Sequence, residues 1–345
     1  MLETALTFRI TTAQQDISLE CAEDETVLDA VERAGYSIPY SCRKGLCSSC
    51  EGRLVSGQVI VRGQGVRSAP ADAVLFCQAR PQSDLEIEPV RIRKVEFIER
   101  KIFTAKVRKV ERLSADVAII QLRLPIGRRV IFRAGQYLRV IMPDGDTRNY
   151  SMANPPQRSD ELELHIRHVP GGKFSESQLA TMTKGAMLDI ELPYGDFCLS
   201  DQHRQAILIA TGTGFAPIKS IIENCIRLQL ARPLHLYWGG NTPDDLYMQD
   251  LPMRWAEQHS WFKFTPVVSR PPASWSGRTG FVHLAVQEDY PDMSDLEIYA
   301  CGAPPMIEAA QRDFSTSAKL KSDAFFSDAF VPSGIKDPEF GAIPA

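Results

Sequence analysis

No apolar run in the chain approaches the ~20 residues that a bilayer crossing requires, so no membrane partner or membrane span is expected. The stretch from Met1 to Ile10 carries Glu3 and Arg9 and lacks a long apolar core. No secretory leader is therefore expected, and the expected compartment is the cytoplasm. Basic excess is also missing. Lys+Arg 39 against Asp+Glu 43 gives a formal net charge of −4, which argues against nucleic acid as a partner, because phosphate backbones need a basic surface. Histidine is scarce, with 6 in 345 residues and none before position 165. Internal repeats are absent, and nothing in the sequence sets the oligomeric state. What remains is an ordinary globular composition, 44% hydrophobic and 24% charged, with a length that suggests roughly two or three domains.

Cysteine is what the chain does have, 8 in all. A disulfide scaffold does not suit a long chain in a reducing compartment. Cys42, Cys47 and Cys50 crowd into one stretch, Ser41-Cys42-Arg43-Lys44-Gly45-Leu46-Cys47-Ser48-Ser49-Cys50, and Cys77 follows. The C-x4-C-x2-C…C spacing is the plant-type [2Fe–2S] pattern. Two irons and two sulfides need four thiolates from a tightly wrapped loop. Gly45 and the small Ser48 and Ser49 let such a loop bend and turn backbone N–H groups toward the sulfurs. A zinc site is the alternative metal reading. It favours paired C-x2-C knuckles, of which only one is present, and no histidine lies nearby. Cys21, Cys198 and Cys225 read as core residues.

The flanks of the cysteine loop resemble a plant-type ferredoxin domain over about Leu6 to Pro89. Thr7-Phe8-Arg9-Ile10 and Ile17-Ser18-Leu19-Glu20 alternate like paired strands. Glu25 to Gly35 reads as an amphipathic helix with a glycine stop, and Leu85-Glu86-Ile87-Glu88 as a closing strand. Val90 to Lys101 is charge-rich and reads as a connector. From Ile102 to about Ser200 short strands such as Val117–Leu124 and Leu162–Arg167 alternate with turns, as in an antiparallel barrel. From Gln205 strand and helix alternate, with apolar strands at 206–210, 233–238, 264–268 and 297–300, which implies a parallel α/β sheet. The expected fold class is multidomain: a β-grasp ferredoxin domain (1–90), a linker (91–101), an antiparallel barrel (102–202) to which the resemblance drawn below assigns a flavin, an α/β parallel-sheet nucleotide-binding domain (203–331) and a loose tail (332–345).

Three later motifs carry chemistry. Arg148-Asn149-Tyr150-Ser151 offers a guanidinium fork and a flat aromatic face, although any strand with an aromatic looks similar. Pro170-Gly171-Gly172-Lys173-Phe174-Ser175 opens a helical segment and offers an anion site, although a plain turn with a cap is the simpler reading of it alone. Ala210-Thr211-Gly212-Thr213-Gly214-Phe215-Ala216-Pro217 joins a strand to a helix, with Pro217 where the third Gly of a dinucleotide turn would stand. Proline is tolerated there because the first helical turn leaves its N–H positions unpaired.

Taken in this order, with Ala134-Gly135-Gln136-Tyr137 upstream, these motifs resemble the ferredoxin–NADP reductase superfamily. The resemblance implies FAD, with Arg148 and Ser175 on its pyrophosphate, Gly172, Lys173 and Phe174 in the same turn, and Tyr150 and Ser151 on the isoalloxazine. Ser151 would lie near the reactive ring edge. His165, Ile166 and Arg167 would lie near the ribityl and adenosine part. Gly212, Thr213, Gly214 and Pro217 would take the nicotinamide dinucleotide. Cys301 and Gly302, with Pro304 and Met306 after them, would line the nicotinamide pocket, where Cys301 is not a nucleophile. An aromatic near the C-terminus covers the flavin in relatives; Phe330 is the candidate in Phe325-Phe326-Ser327-Asp328-Ala329-Phe330, and core packing is the plainer reading for at least two of these rings.

The combination implies an NAD(P)H-dependent electron-transfer enzyme, with FAD between a two-electron donor and a one-electron cluster. A redox sensor would hold the same groups without fast turnover onto an artificial acceptor. The order ferredoxin, flavin barrel, nucleotide domain resembles the reductase components of benzoate-, terephthalate-, phenol- and methane-oxidising systems; phthalate-type reductases carry the ferredoxin at the other end. The expected partner is a terminal oxygenase of an aromatic ring. The runner-up is the reductase of a CDP-deoxyhexulose dehydrase, which the segments 275–282 and 325–333 resemble. Asp244 and Asp245, after the strand ending at Trp238, disfavour a 2′-phosphate and point to NADH. Ser269-Arg270 resembles an NADPH pair and keeps NADPH open. Glu23, Asp24, Glu25, Asp29 and Glu32 form either an acidic docking face or a solvated helix face.

Overall fold

The computed structural model describes residues 6–331, so the expected tail at 332–345 and the first five residues lie outside the described residues. Two compact units form, one reaching Phe97 and one spanning Ile98–Phe330. No helix among the described residues is long and apolar enough to cross a membrane.

In the first unit the hairpin Thr7–Thr12 and Ser18–Ala22 pairs antiparallel, and Thr7–Thr12 also lies parallel to Leu85–Pro89. Glu51–Ser56 and Ala71–Leu75 complete a five-stranded sheet. The sequence predicts a helix over 25–35; it forms as Val27–Arg33, with the Thr26 hydroxyl accepting from the Asp29 N–H at 3.2 Å. Val27, Leu28, Ala30 and Val31 are its buried face. Of the acidic residues around this helix, Glu23 and Asp24 are exposed, while Glu25, Asp29 and Glu32 are engaged in ion pairs. Glu25 pairs with Arg33 at 2.8 Å, and Asp29 and Glu32 both hold the Arg43 guanidinium. The expected connector also differs. Arg93 and Lys94 pair antiparallel with Ser37 and Tyr36, while the next strand begins at Lys101. A two-stranded ribbon accepts such charged residues because its side chains reach water on one face.

The second unit contains two sheets. The first is antiparallel, in the order Thr147–Ser151, Tyr137–Ile141, Met187–Tyr194, Lys101–Arg112, Val117–Arg123, Glu161–Arg167. A bridge between Met152 and Leu164 joins its two edges and closes the barrel. Leu162, Leu164 and Ile166 face the barrel core. The alternate residues Glu163 and His165 are buried as well, because the second sheet's elements cover that face.

The second sheet is all parallel, in the order Arg278–Thr279, Phe262–Val268, Leu234–Gly240, Ala206–Thr211, Glu297–Gly302, Phe325–Ala329. The expected strands form with slightly different ends. Phe325–Ala329, read from sequence only as an aromatic cluster, is an edge strand. Chain order reverses between Ala206–Thr211 and Glu297–Gly302. Their carboxyl ends form the crevice where open α/β sheets bind ligands.

Candidate functional site

The cysteine loop wraps tightly. Arg43, Gly45 and Ser48 take positive φ values of 56, 71 and 53°, which fold the chain back on itself. As a result the Lys44 and Leu46 N–H groups lie 3.3 and 3.4 Å from Cys42 Sγ, and the Cys42 N–H lies 3.5 Å from Cys47 Sγ. The thiols converge in pairs. Cys42 is hydrogen-bonded to Cys47 and Cys50 to Cys77, and these bonds lower the Cys47 and Cys77 pKa values while raising those of their partners. Among the described residues no three His, Cys, Asp or Glu side chains gather as a single-ion site. Two thiol pairs ringed by N–H donors fit a binuclear cluster, two thiolates per iron, better than one tetrahedral zinc.

In the barrel, Arg148 is buried and its guanidinium holds Asp146 at 2.7 Å and the Thr147 carbonyl at 2.8 Å. Asp146 lies 3.9 Å from Lys173, whose amine also bonds Asp144 at 2.8 Å. The Tyr150 and Phe174 rings meet at 5.3 Å. The strand motif and the Gly172–Ser175 turn, distant in sequence, are therefore neighbours. Burial pushes the Tyr150 phenol up, so it stays neutral. The Ser175 hydroxyl accepts from the Val169 N–H at 3.1 Å and closes the turn against the start of a helical segment over 173–181. Two cations, a flat ring and a helix start fit a dinucleotide with an anionic middle.

At the crevice of the parallel sheet, Gly212–Gly214 forms a tight turn into the helix Phe215–Leu228, with Thr213 buried and Pro217 in the first turn. The Trp238 indole donates to the Gly212 carbonyl at 3.2 Å and stacks on Phe215 at 4.0 Å. Two glycines permit the close approach of the strand ends. A Cβ on Gly214 would lie 2.3 Å from the Cys301 carbonyl oxygen, and one on Gly302, at φ +132°, would lie 2.2 Å from the Thr211 hydroxyl. Cys301 is wholly buried; burial, then the Asp328 charge, pushes its thiol up and keeps it protonated. Pro304 and Met306 open the helix Pro304–Ser317, both half-buried. The Phe330 N–H donates to the Gly302 carbonyl at 2.9 Å, and its ring packs at the edge of the nucleotide-domain core. Phe325 and Phe326 are core residues, with Phe326 stacked on Tyr299 at 4.4 Å.

Comparison with known proteins gives three domain matches: a 2Fe-2S iron-sulfur cluster binding domain over residues 10–82, an oxidoreductase FAD-binding domain over 104–198 and an oxidoreductase NAD-binding domain over 208–312. Terephthalate 1,2-dioxygenase reductase component 1 of Comamonas sp is 37% identical over 325 residues, covering 92% of this chain and 96% of that protein. The chain belongs to the family of [2Fe–2S] flavoprotein reductases. The CDP-6-deoxy-L-threo-D-glycero-4-hexulose-3-dehydrase reductase of Yersinia pestis is another relative, 38% identical over 311 residues, covering 89% of this reductase and 94% of that protein. The crystal structure of an Amycolatopsis cytochrome P450 reductase matches with a TM-score of 0.76 and 30% identity, covering 95% of this chain and 100% of that one. The reductase is thus an NAD(P)H-dependent oxidoreductase with binding domains for a [2Fe–2S] cluster, FAD and NAD.

Sequence reasoning missed several residues of the reductase's site. Asp328 is buried, pairs in register with Cys301 and accepts from the Ser151 hydroxyl at 3.4 Å. It joins the flavin strand to the nucleotide crevice. Its signal in the sequence is a carboxylate within an apolar stretch, two residues before Phe330. A second junction lies below. His165 Nδ1 meets the Tyr247 hydroxyl at 2.8 Å and Nε2 meets Glu163 at 3.2 Å, so both ring nitrogens are engaged between the sheets rather than at the flavin motifs. Lys219 pairs with Glu163 at 3.0 Å and Glu223 at 2.9 Å, and donates to the Ala153 carbonyl at 3.1 Å. Burial alone would raise the Glu163 carboxyl, but the His165 hydrogen bond and the Lys219 charge outweigh it and hold it well below the usual range. Burial lowers the His165 pKa. Ile166 points into the barrel core. Arg167 bonds Asp116 at 3.1 Å and Asp245 at 3.4 Å, and its guanidinium carbon lies 3.1 Å from where a Cβ on Gly212 would stand. It therefore sits on the nucleotide turn.

Proposed function

We propose that the reductase carries electrons from NADH through FAD and its [2Fe–2S] cluster to a partner oxygenase that acts on an aromatic ring. When bound, FAD takes the hydride pair and the cluster passes single electrons on. The chain's own residues hold and align these groups. Arg148 and Ser175 would hold the FAD pyrophosphate, with Gly172, Lys173 and Phe174 in the same turn, and Arg148 would release Asp146 to do so. Tyr150 lies on the isoalloxazine. Ser151, fixed by Asp328, lies at the reactive edge. Gly212, Thr213, Gly214 and Pro217 shape the turn for the nucleotide pyrophosphate, and Arg167 reaches it from the barrel. His165 and Ile166 hold the strand that carries Arg167. Cys301 and Gly302 leave room for the nicotinamide, Pro304 and Met306 bound its pocket, and Phe330 would cover the flavin until the nicotinamide displaces it. Cys42, Cys47, Cys50 and Cys77 hold the cluster.

The observation that carries this reading is the meeting of Ser151, Cys301 and Asp328 where the flavin strand faces the crevice of the parallel sheet. Proximity of donor and acceptor is what hydride transfer requires.

Two acceptors stand in competition. The near-equal identity to the Yersinia dehydrase reductase favours a sugar-nucleotide dehydrase as the second reading. Purified reductase with NADH is combined with either a terephthalate-type Rieske oxygenase or a CDP-hexulose dehydrase. Product formed only with the oxygenase supports the leading reading, and product formed only with the dehydrase overturns it. For the nucleotide, Asp245 is turned inward, accepting from the Asn241 and Thr242 N–H groups at 2.8 and 2.9 Å, while Asp244 and Arg270 are exposed. Arg270→Ala is expected to leave the KM for NADH nearly unchanged. Efficient NADPH turnover that this substitution abolishes would reverse the preference.

A further inference from the structure

We infer that Gln78 is a positioning residue that sets the reduction potential of the cluster through a side-chain hydrogen bond to Cys77 Sγ. The inference rests on the cluster reading above.

Gln78 is 3% exposed and follows the fourth cysteine. Its Nε2 lies 3.3 Å from Cys77 Sγ, 2.8 Å from the Cys77 carbonyl and 2.9 Å from the Arg43 carbonyl. The amide's two N–H groups serve these three acceptors, so one N–H is shared, and together they fix the amide's orientation. Turned over, Oε1 would face two carbonyl oxygens and a sulfur. In the orientation adopted, Oε1 is buried with no hydrogen-bond partner. Leaving a buried acceptor unpaired is costly, a penalty that simple packing would avoid with an apolar side chain. The loop is shaped around this group. A Cβ on Gly45 would lie 3.0 Å from Gln78 Cγ. Arg43, at φ 56°, turns its carbonyl toward the amide, while Asp29, Glu32 and the Tyr40 ring hold its guanidinium.

Gln78 thus ties the loop of the first three cysteines to the fourth and donates to a ligand sulfur. Reduction adds one negative charge to a cluster, and an N–H aimed at a thiolate stabilises that charge, so the donor raises the potential. N–H donors at the sulfurs from Cys42, Lys44 and Leu46, and from Gly45 at Cys77, belong to the backbone. Gln78 is the side-chain donor at Cys77, as the Ser49 side chain is at Cys47, and it can be changed by substitution.

The test is a redox titration of the holoenzyme followed by the electron paramagnetic resonance of the reduced cluster, with iron and sulfide measured in the same samples. Gln78→Met and Gln78→Leu are expected to move the cluster midpoint to more negative values, with full iron content and an unchanged flavin midpoint. An unchanged cluster midpoint in either variant at full iron content overturns the inference. Loss of the cluster in both variants also overturns it and leaves Gln78 a structural role. A wild-type holoenzyme without a [2Fe–2S] signal is a different failure, that of the cluster reading itself.

Discussion

Ser151, Asp328 and Cys301 come from three strands, yet Ser151 and Asp328 form one buried hydrogen bond across 177 residues. Replacing Asp328 with Asn keeps the shape and removes the charge that orients the serine. The expected outcome is a roughly 10–100-fold slower reduction of FAD by NADH, measured by anaerobic stopped-flow, with FAD content unchanged. Arg167→Ala is expected to raise the KM for NADH roughly tenfold and to leave FAD bound, because the guanidinium lies on the Gly212 turn. Loss of FAD from that variant would return Arg167 to the flavin. The contrast between these residues explains what a sequence discloses. Four cysteines and a Gly-x-Gly turn are legible because their spacing along the chain is the chemistry. Asp328 acquires meaning only from its register opposite Cys301, and His165 only from the Tyr247 and Glu163 side chains that close on it.

At the scale of elements, the strand Glu161–Arg167 is decisive because it is buried on both faces. Its alternation was legible as a strand, but the destination of its polar face was not, since that depends on the helix carrying Lys219. Lys219→Met leaves Glu163 buried without its cation. A stability loss of about 3–5 kcal/mol is expected by denaturant titration, more than an exposed lysine would cause. The strand Leu234–Gly240 supplies a pH test. His235 bonds the Tyr290 and Thr265 hydroxyls, and burial, then the nearby Lys263 charge, lowers its pKa to about 4. A lowered histidine binds its proton more weakly in the folded state. Its contribution to stability is therefore full above about 6.5 and is lost as the pH falls toward 4. Thermal unfolding measured across that window is expected to fall less steeply for His235→Gln.

At the scale of the whole molecule, the three binding domains predict separable activities. Cys47→Ser weakens one thiol pair without touching the flavin barrel. Reduction of ferricyanide by NADH is expected to persist in this variant, while reduction of cytochrome c drops to a small fraction of the wild-type rate. Equal loss of both would contradict the cluster as the exit for electrons. The domain order was legible from motifs alone. The pairing of Arg93 and Lys94 with the first unit was not, because a charged stretch carries no apolar period to reveal a ribbon.

Among the described residues the edge strand Phe325–Ala329 pairs in parallel only with Glu297–Gly302, and it is the sixth and last strand of its sheet in chain order. During synthesis the cysteine loop, the barrel and five strands of the nucleotide sheet leave the ribosome before it does. A chain that stops short of residue 325 would thus keep the cysteine loop and the barrel but lack the carboxylate that holds Ser151.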